Sequence, residues 1–194
     1  MHIPPVFIYP EAILFWIVFI CFFYLEIKLT RTITRNPSNT QDAGTRLLIK
    51  IGIGIAFILA LFMSFLPWFV ISRQRIFLNA GIAILIIGSF FRQYSIRILG
   101  KYFTPEVIVD ANQPVIERGP YRWIRHPGYS GAFLMFLGIG LAFGSWLSLI
   151  VFFLAVYVVY SRRVRAEEKA LLETIGEPYR VYMARTKRFI PFIF

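Results

Sequence analysis

Long apolar stretches separated by short charged segments dominate the hydropathy pattern of this chain. Three such stretches, at residues 12–25, 51–72 and 76–91, lie in the amino-terminal half, and a fourth lies at residues 127–161. Because about 20 helical residues cross the hydrocarbon core of a bilayer, each of the first three predicts one membrane-spanning helix. Pro67 predicts a kink or a helix end near the end of the second span.

The fourth stretch is too long for one span. As a single helix, residues 127–161 would measure about 52 Å against a hydrocarbon core of about 30 Å. Glycines cluster near its middle, at Gly138, Gly140 and Gly144, and such clusters favour a turn. We therefore expect a hairpin of two short helices and about five transmembrane helices in total. A re-entrant hairpin, which does not cross fully, is the open alternative.

The composition supports a membrane protein. Hydrophobic residues make up 58% of the 194 positions and charged residues only 16%, which is more apolar surface than one soluble core of this length can bury. Cys21 is the only cysteine, so neither a disulfide nor a CxxC site is possible within the chain. We predict an all-α integral membrane protein with a single membrane domain over residues 1–194, of which 1–99 hold three spans.

The strongly basic charge balance predicts an orientation. The chain carries 21 Lys and Arg and a formal net charge of +11, which in a soluble protein would suggest nucleic acid but in a membrane protein marks cytoplasmic segments. If the amino terminus lies outside, every Lys and Arg except Arg73 and Arg75 falls on the cytoplasmic side. We therefore expect a cytoplasmic carboxyl terminus, contact with membrane lipids and no nucleic-acid partner.

Two predicted cytoplasmic segments flank the hairpin and can meet at its base. One is the proline-containing loop at residues 101–125, and the other is the tail that begins at Arg162. The tail predicts a helix to about Ile175 that is stopped by Gly176, followed by a second short helix from Pro178.

The run from Gly119 to Gly131 is the first candidate for chemistry. Pro127 is well suited to the first position of a helix, which would place His126 at the amino end beside free backbone N–H groups. One interpretation is an interfacial anchor made of Arg, His and Tyr. A polar ligand held at the helix start explains Gly128 and Gly131 better.

The second candidate is a pair of opposite charges in the tail. Arg163 and Glu167 are four residues apart and therefore share one helical face. They form either a surface ion pair or, for Glu167, a carboxylate that holds a cation directly after a membrane helix. No cluster of His and carboxylates has metal-ligand spacing, so we expect no metal.

These motifs occur in an order that resembles the isoprenylcysteine carboxyl methyltransferase family, which is similar in turn to the membrane phospholipid methyltransferases. The resemblance covers about residues 100–191. Its motifs are Gly119-Pro120-Tyr121-Arg122-x-x-Arg125-His126-Pro127-x-Tyr129, a glycine-rich apolar hairpin, Arg163-x-x-x-Glu167-Glu168-x-x-Leu171 and Gly176-x-x-Tyr179-x-x-Tyr182.

The resemblance implies a methyltransferase that uses S-adenosylmethionine and releases S-adenosylhomocysteine. Residues 100–194 would form its catalytic part, namely a cytosolic cofactor-binding loop, the helical hairpin and carboxyl-terminal helices. Arg163 would face the methyl acceptor. The residues implied in cofactor binding are Gln113, Pro114, Val115, Ile116, Tyr121, His126, Pro127, Gly128, Tyr129 and Glu167.

The acceptor implied by the resemblance is lipid-like. A carboxylate, such as the α-carboxyl of a prenylcysteine, is already ionised at neutral pH and needs no general base. An amine must first lose a proton, so Glu167 or Glu168 would have to act as a base. The alternatives left open are a phospholipid N-methyltransferase, a sterol-type membrane reductase and a non-enzymatic lipid-binding or transport protein.

Overall fold

The computed structural model describes residues 2–32, 44–110 and 112–189, with the side chains of 29–32 left out. The described chain folds into helices joined by turns, without a strand, so the predicted all-α class is confirmed. The α-helices are α1 (Ala12–Thr32), α2 (Thr45–Met63), α3 (Gln74–Leu99), α4 (Pro127–Ala142), α5 (Trp146–Ile175) and α6 (Glu177–Arg185).

Three helical segments in the described part of the chain are long and apolar enough to cross a membrane. They are Thr45–Ser64, Gln74–Tyr102 and Trp146–Ile175, which contain α2, α3 and α5. α4 is a shorter apolar helix, and α1 contains the first predicted span. The count of five crossings therefore stays a prediction.

The second span differs from the prediction at both ends. α2 begins at Thr45 and ends at Met63, whereas the apolar pattern predicted residues 51–72. Pro67 explains the early end, because a proline in a continuing helix clashes with the carbonyl of the residue four positions before it, which here is Met63. Pro67 instead starts the 3₁₀ turn Pro67–Phe69, which is followed by Val70 in an extended conformation.

The hairpin turns where the glycines predicted it, but its arms are unequal. α4 and α5 are joined at Gly144, whose φ of +68° lies in the left-handed region that favours glycine. α4 has 16 residues, whereas α5 has 30 and continues without a break through the tail helix that was predicted as a separate element. The prediction of two short arms is wrong for α5, because residues 161–168 contain no helix breaker. Gly176 ends the helix as predicted.

Glycines bring the backbones of α3 and α4 into direct contact. A Cβ atom at Gly81 would lie 2.5 Å from the carbonyl oxygen of Gly138, and one at Gly88 would lie 2.8 Å from that of Gly131. A Cβ at Gly131 would lie 2.8 Å from the amide nitrogen of Arg92. Small residues at seven-residue spacing on both helices thus permit the close approach that is common between membrane helices.

The hairpin reaches the end of the bundle at which α3 begins. The amide of Ile71, just before α3, donates to the carbonyl of Gly144 at 2.9 Å. The hydroxyl of Ser148, in the first turn of α5, donates to the carbonyl of Ala60 near the end of α2 at 2.5 Å. The opposite end of the bundle, where α3 ends and α4 begins, holds the sequence motifs described above and is called the site end here.

We predict that Gly81→Ala destabilises the protein, whereas Gly54→Ala does not. The added methyl group at Gly81 would overlap the α4 backbone, which costs about 1–3 kcal/mol when a packed core must shift. Gly54 is also in a helix, but a Cβ atom added there would have no neighbouring atom within 4 Å. The apparent Tm of each variant in detergent, followed by tryptophan fluorescence, checks this, and an equal Tm for the two would contradict the packing argument.

Candidate active site

The segment before α4 brings His126 to the start of that helix. A 3₁₀ turn at Gly119–Arg122 leads into it, and Gly119 has a φ of +57° that few other residues adopt. His126 is the residue before the first turn, and Pro127 occupies the first helical position. The carbonyl of His126 accepts hydrogen bonds from the amides of Tyr129 and Ser130 at 3.0 and 3.1 Å. The predicted helix start is therefore confirmed.

The carboxyl-terminal tail lies directly against this segment. The amide of Arg125 donates to the carbonyl of Lys187 at 2.7 Å, and the amide of His126 donates to that of Arg188 at 3.1 Å. The two segments that flank the hairpin in sequence thus meet at its base, as expected. They meet through backbone bonds, which fix the position of His126 independently of its side chain.

Glu168 is the buried centre of a cluster of positive side chains. Its Oε1 accepts from Arg125 Nε at 2.9 Å, and its Oε2 accepts from Arg188 Nη2 at 2.8 Å. The Nε2 atom of His126 lies 3.4 Å from Oε1, so one ring nitrogen of the predicted ligand-binding histidine already faces a protein partner. Because Glu168 is only 3% exposed and is held by two guanidinium groups, it is poorly placed to take up a proton.

The hydroxyl of Tyr129 connects the two charged residues predicted on α5. It donates to Glu167 Oε2 at 2.9 Å and accepts from Arg163 Nε at 3.2 Å. Arg163 also donates to the Thr45 hydroxyl at 2.9 Å and to the Pro105 carbonyl at 3.0 Å. Arg163 is 3% exposed, so the alternative of a plain surface ion pair does not hold.

Most residues predicted to bind a cofactor line one cavity, which we call the loop cavity. Its walls come from the loop between α3 and α4, the first turn of α4 and the inner face of α5 and α6. Pro127 is buried at the start of α4 and is not part of the lining. The predicted residues that line the loop cavity are Gln113, Pro114, Val115, Ile116, Tyr121, His126, Gly128, Tyr129 and Glu167.

Two phenols of the loop cavity, those of Tyr121 and Tyr179, are uncharged at neutral pH. Burial raises the pKa of Tyr121 well above its usual range, and the negative charge of Glu167 adds to this effect. Burial also raises the pKa of Tyr179, with Glu168 and Glu167 as further causes. These tyrosines therefore offer aromatic faces and hydroxyl groups rather than phenolate bases.

A second space, which we call the bundle cavity, lies between α1, α2, α4 and α5. Its volume is about 750 Å³, within the range of sites that enclose small ligands. One part is apolar, lined by Phe19, Phe22, Phe23, Ile53, Phe57 and Phe136. The other part lies at the site end and carries the charged side chains Glu26, Arg46, Lys50, Arg92 and Arg163.

The two cavities share a wall. Four residues line both of them, namely Arg92, Phe103, Thr104 and Tyr129. Glu167 lines only the loop cavity and Arg163 only the bundle cavity, so the hydroxyl of Tyr129 links a carboxylate on one side to a guanidinium on the other. A polar ligand in the loop cavity and an amphiphile in the bundle cavity would both contact these four residues.

Sequence reasoning missed several residues of this arrangement. Thr45 lies outside the predicted spans and Arg92 was counted only as a basic charge, yet both contact site residues. Glu26 lies just beyond the first predicted apolar stretch, and it forms an ion pair with Arg92. An acidic residue near the end of an apolar helix was the one available signal, because such a group usually has a partner.

Comparison with known proteins agrees with the motifs. Residues 81–173 match the isoprenylcysteine carboxyl methyltransferase (ICMT) family. The protein-S-isoprenylcysteine O-methyltransferase of Schizosaccharomyces pombe is 28% identical over 134 residues, which is 68% of this chain and 56% of that protein. The enzyme of the same name from Saccharomyces cerevisiae is 31% identical over 115 residues, which is 58% of this chain and 48% of that protein. This chain therefore matches about half the length of these curated relatives.

A solved structure shares the fold. It is that of the eukaryotic intramembrane Ras methyltransferase ICMT, which superimposes with a TM-score of 0.60 at 22% identity over 82% of this chain and 55% of the other. Together with the three candidate spans, this fold identifies an integral membrane protein. The family match begins within α3 and includes α4 and most of α5, and all four residues of the shared wall lie within it. Through this region, which is just under half of its length, the chain resembles the isoprenylcysteine carboxyl methyltransferase family.

Proposed function

We propose that this protein is a membrane methyltransferase that transfers a methyl group from S-adenosylmethionine to the carboxylate of a lipid-like acceptor. The acceptor class that fits best is a prenylcysteine-type α-carboxyl, which would give an O-methyl ester. The relatives named above carry the corresponding activity in their names, and the family supports a methyl donor.

One observation carries the proposal, namely the meeting of two chemically different cavities at Tyr129. Group transfer between a polar donor and a lipid acceptor requires both to approach one point while water is excluded. The loop cavity offers polar and aromatic groups, and the bundle cavity offers apolar walls with cationic side chains near the shared wall. A protein that only carried lipid would not need the first cavity.

The donor groups of the loop cavity fit S-adenosylmethionine. Glu167 places a carboxylate in the lining, which suits a positively charged ligand, and the faces of Tyr121 and Tyr129 can add cation–π attraction. Val115 and Ile116 supply apolar surface, which suits a flat aromatic base. When bound, the cofactor supplies a methyl group on a sulfonium and leaves S-adenosylhomocysteine.

Arg163 is placed to orient an anionic acceptor. It lines the bundle cavity and its guanidinium is held by Thr45, Tyr129 and the Pro105 carbonyl. A fixed guanidinium attracts a carboxylate without rearrangement. The surrounding aromatic walls would take the lipid part, which explains the position of the site at one end of a membrane bundle.

The charge environment favours a carboxylate over an amine. An ammonium acceptor would need a base, and of the two candidates Glu168 is occupied by Arg125 and Arg188, whereas Glu167 accepts a hydrogen bond from Tyr129. The cationic lining of the bundle cavity would also repel an ammonium group. A phospholipid N-methyltransferase is therefore the less suitable alternative.

The proposed location is the cytoplasmic side of the cell membrane. The predicted topology assigns all Lys and Arg except Arg73 and Arg75 to the side of the membrane that holds the site, and positively charged segments favour the cytoplasm. The amino terminus would then lie outside, and the carboxyl terminus with the site would lie inside. Membrane lipids and the lipophilic acceptor are the proposed partners.

We predict that replacing Glu167 lowers the affinity for the cofactor, whereas replacing Arg163 raises the KM of the acceptor. Glu167→Gln removes the carboxylate that holds the cation, so binding of S-adenosylhomocysteine and of S-adenosylmethionine should weaken by about tenfold or more. Arg163→Lys keeps the positive charge but loses the planar guanidinium that can bind a carboxylate through two N–H groups. Cofactor binding should therefore persist while the KM of the acceptor rises by about tenfold. Calorimetry in detergent and a methyl-transfer assay measure the two effects.

Glu173→Gln is the matched control for this experiment. Glu173 is on the same helix, is exposed, and pairs only locally with Lys169 at 3.8 Å, so its replacement should change neither quantity. Equal losses in Glu167→Gln and Arg163→Lys would mean that the pair is structural. Wild-type protein that is folded but binds neither cofactor form would contradict the proposed function as a whole.

A panel of acceptors distinguishes the acceptor classes. We expect transfer of labelled methyl from S-adenosylmethionine to a prenylcysteine analogue, less transfer to a fatty acid, and none above background to phosphatidylethanolamine. Base-labile product confirms an ester, because an N-methyl group survives mild alkali. Preferential labelling of phosphatidylethanolamine would overturn the carboxylate assignment while leaving the methyltransferase assignment intact.

A further inference from the structure

A bidentate ion pair joins α1, which carries no family motif, to the start of α4. Arg92 Nε donates to Glu26 Oε1 at 2.6 Å, and Arg92 Nη2 donates to Glu26 Oε2 at 2.9 Å. The remaining Nη1 of Arg92 donates to the carbonyl of Gly128 at 2.9 Å. One guanidinium therefore connects a carboxylate on the first helix to the backbone of a residue that lines the loop cavity.

The ion pair is buried at the boundary between the two cavities. Arg92 lines both of them, and Glu26 lines the bundle cavity. The side chains are 13% and 22% exposed, so water screens their charges poorly. The backbones of Arg92 and Gly131 approach closely at this level, so the backbone that carries the guanidinium is held beside the wall.

The charge of Arg92 is unfavourable at this position unless it is neutralised. The amino end of a helix such as α4 carries a partial positive charge, and a cation beside it raises the local potential further. A ligand with a sulfonium in the loop cavity would experience the same repulsion. Glu26 offsets this charge and at the same time fixes the guanidinium so that Nη1 reaches Gly128.

We propose that Glu26 and Arg92 are positioning residues for the cofactor site, through which α1 holds the Gly128–Tyr129 turn in place and keeps the wall electrically neutral towards a sulfonium ligand. The inference rests on the proposed function, because it needs the loop cavity to bind S-adenosylmethionine. It gives the first helix a part in the transfer, although no described side chain of that helix lines the loop cavity.

The chain contains a natural comparison for this pair. Glu11, the residue before α1, forms a similar ion pair with Arg75 in α3, with Arg75 Nε 2.8 Å from Glu11 Oε1. This pair lies at the opposite end of the bundle. If ion pairs between these segments served only to hold the helices together, both pairs would act alike. Of the two pairs, it is Glu26–Arg92 that contacts a residue of the loop cavity.

The test compares the affinities for S-adenosylmethionine and S-adenosylhomocysteine without an acceptor. S-adenosylmethionine carries a positively charged sulfonium where S-adenosylhomocysteine has a neutral thioether. The Kd of S-adenosylmethionine divided by that of S-adenosylhomocysteine therefore reports the charge of the wall. This ratio does not depend on the folded fraction of the protein. Glu26→Gln should raise the Kd of S-adenosylmethionine by about tenfold and that of S-adenosylhomocysteine by less. Glu26→Asp, which keeps the charge, should leave the ratio near the wild-type value.

A double variant gives an independent result. In Glu26→Gln with Arg92→Gln neither charge remains, so the ratio should return to the wild-type value while both affinities are lower, because the bond to Gly128 is lost. Replacing both members of a buried pair is also better tolerated than removing one, so this variant remains informative where Glu26→Gln does not fold. Glu11→Gln is the matched control and should change neither Kd.

The outcomes separate the two proposals. An unchanged ratio in Glu26→Gln, or an equal change in Glu11→Gln, overturns the positioning role while leaving cofactor binding by the wild type intact. A ratio in the double variant that stays as high as in Glu26→Gln also overturns it. Wild-type protein that binds neither ligand overturns the proposed function and this inference together.

Discussion

The contact between the backbones of α3 and α4 is the constraint on which the site depends. Gly81 and Gly88 on one helix face Gly131 and Gly138 on the other so closely that no Cβ would fit. α4 therefore has one position along α3, which places its first turn beside Arg92. The hydroxyl of Tyr129 in that turn reaches Glu167 on α5, and the shared wall between the two cavities follows from this placement.

The charges of this apolar chain are concentrated where its helices and loops meet. Glu26 binds Arg92, which connects α1 to α3, and Glu168 binds Arg125 and Arg188, which connects α5 to the loop before α4 and to the tail. A buried ion pair contributes little net stability, but the loss of one partner leaves an uncompensated charge. Such pairs therefore act mainly by favouring one arrangement of loop, tail and hairpin. Two adjoining binding cavities require that these segments keep a fixed arrangement.

Local features were predictable from the sequence, whereas long-range contacts were not. Pro127 fixed a helix start, Gly144 a turn and Gly176 a helix end, because each depends on the backbone preferences of one residue. Pro67 predicted a helix end, but the exact limit at Met63 required the clash four residues earlier. The contact of Arg163 with Thr45 and that of Arg92 with Glu26 connect residues from separate helices, and no local pattern encodes such pairs. The family resemblance supplied the residues of the loop cavity, but it contained nothing about α1.

The central claim is that one residue, Tyr129, contributes to binding in both cavities, because its hydroxyl bonds to Glu167 and to Arg163. The most direct test is the steady-state kinetics of Tyr129→Phe with each substrate varied in turn, since this change removes one oxygen atom and keeps the ring. The account predicts that KM rises by roughly threefold to tenfold for both S-adenosylmethionine and the lipid acceptor, because the hydroxyl bonds to Glu167 and Arg163 are lost together. A rise for only one of the two substrates, or for neither, would contradict it.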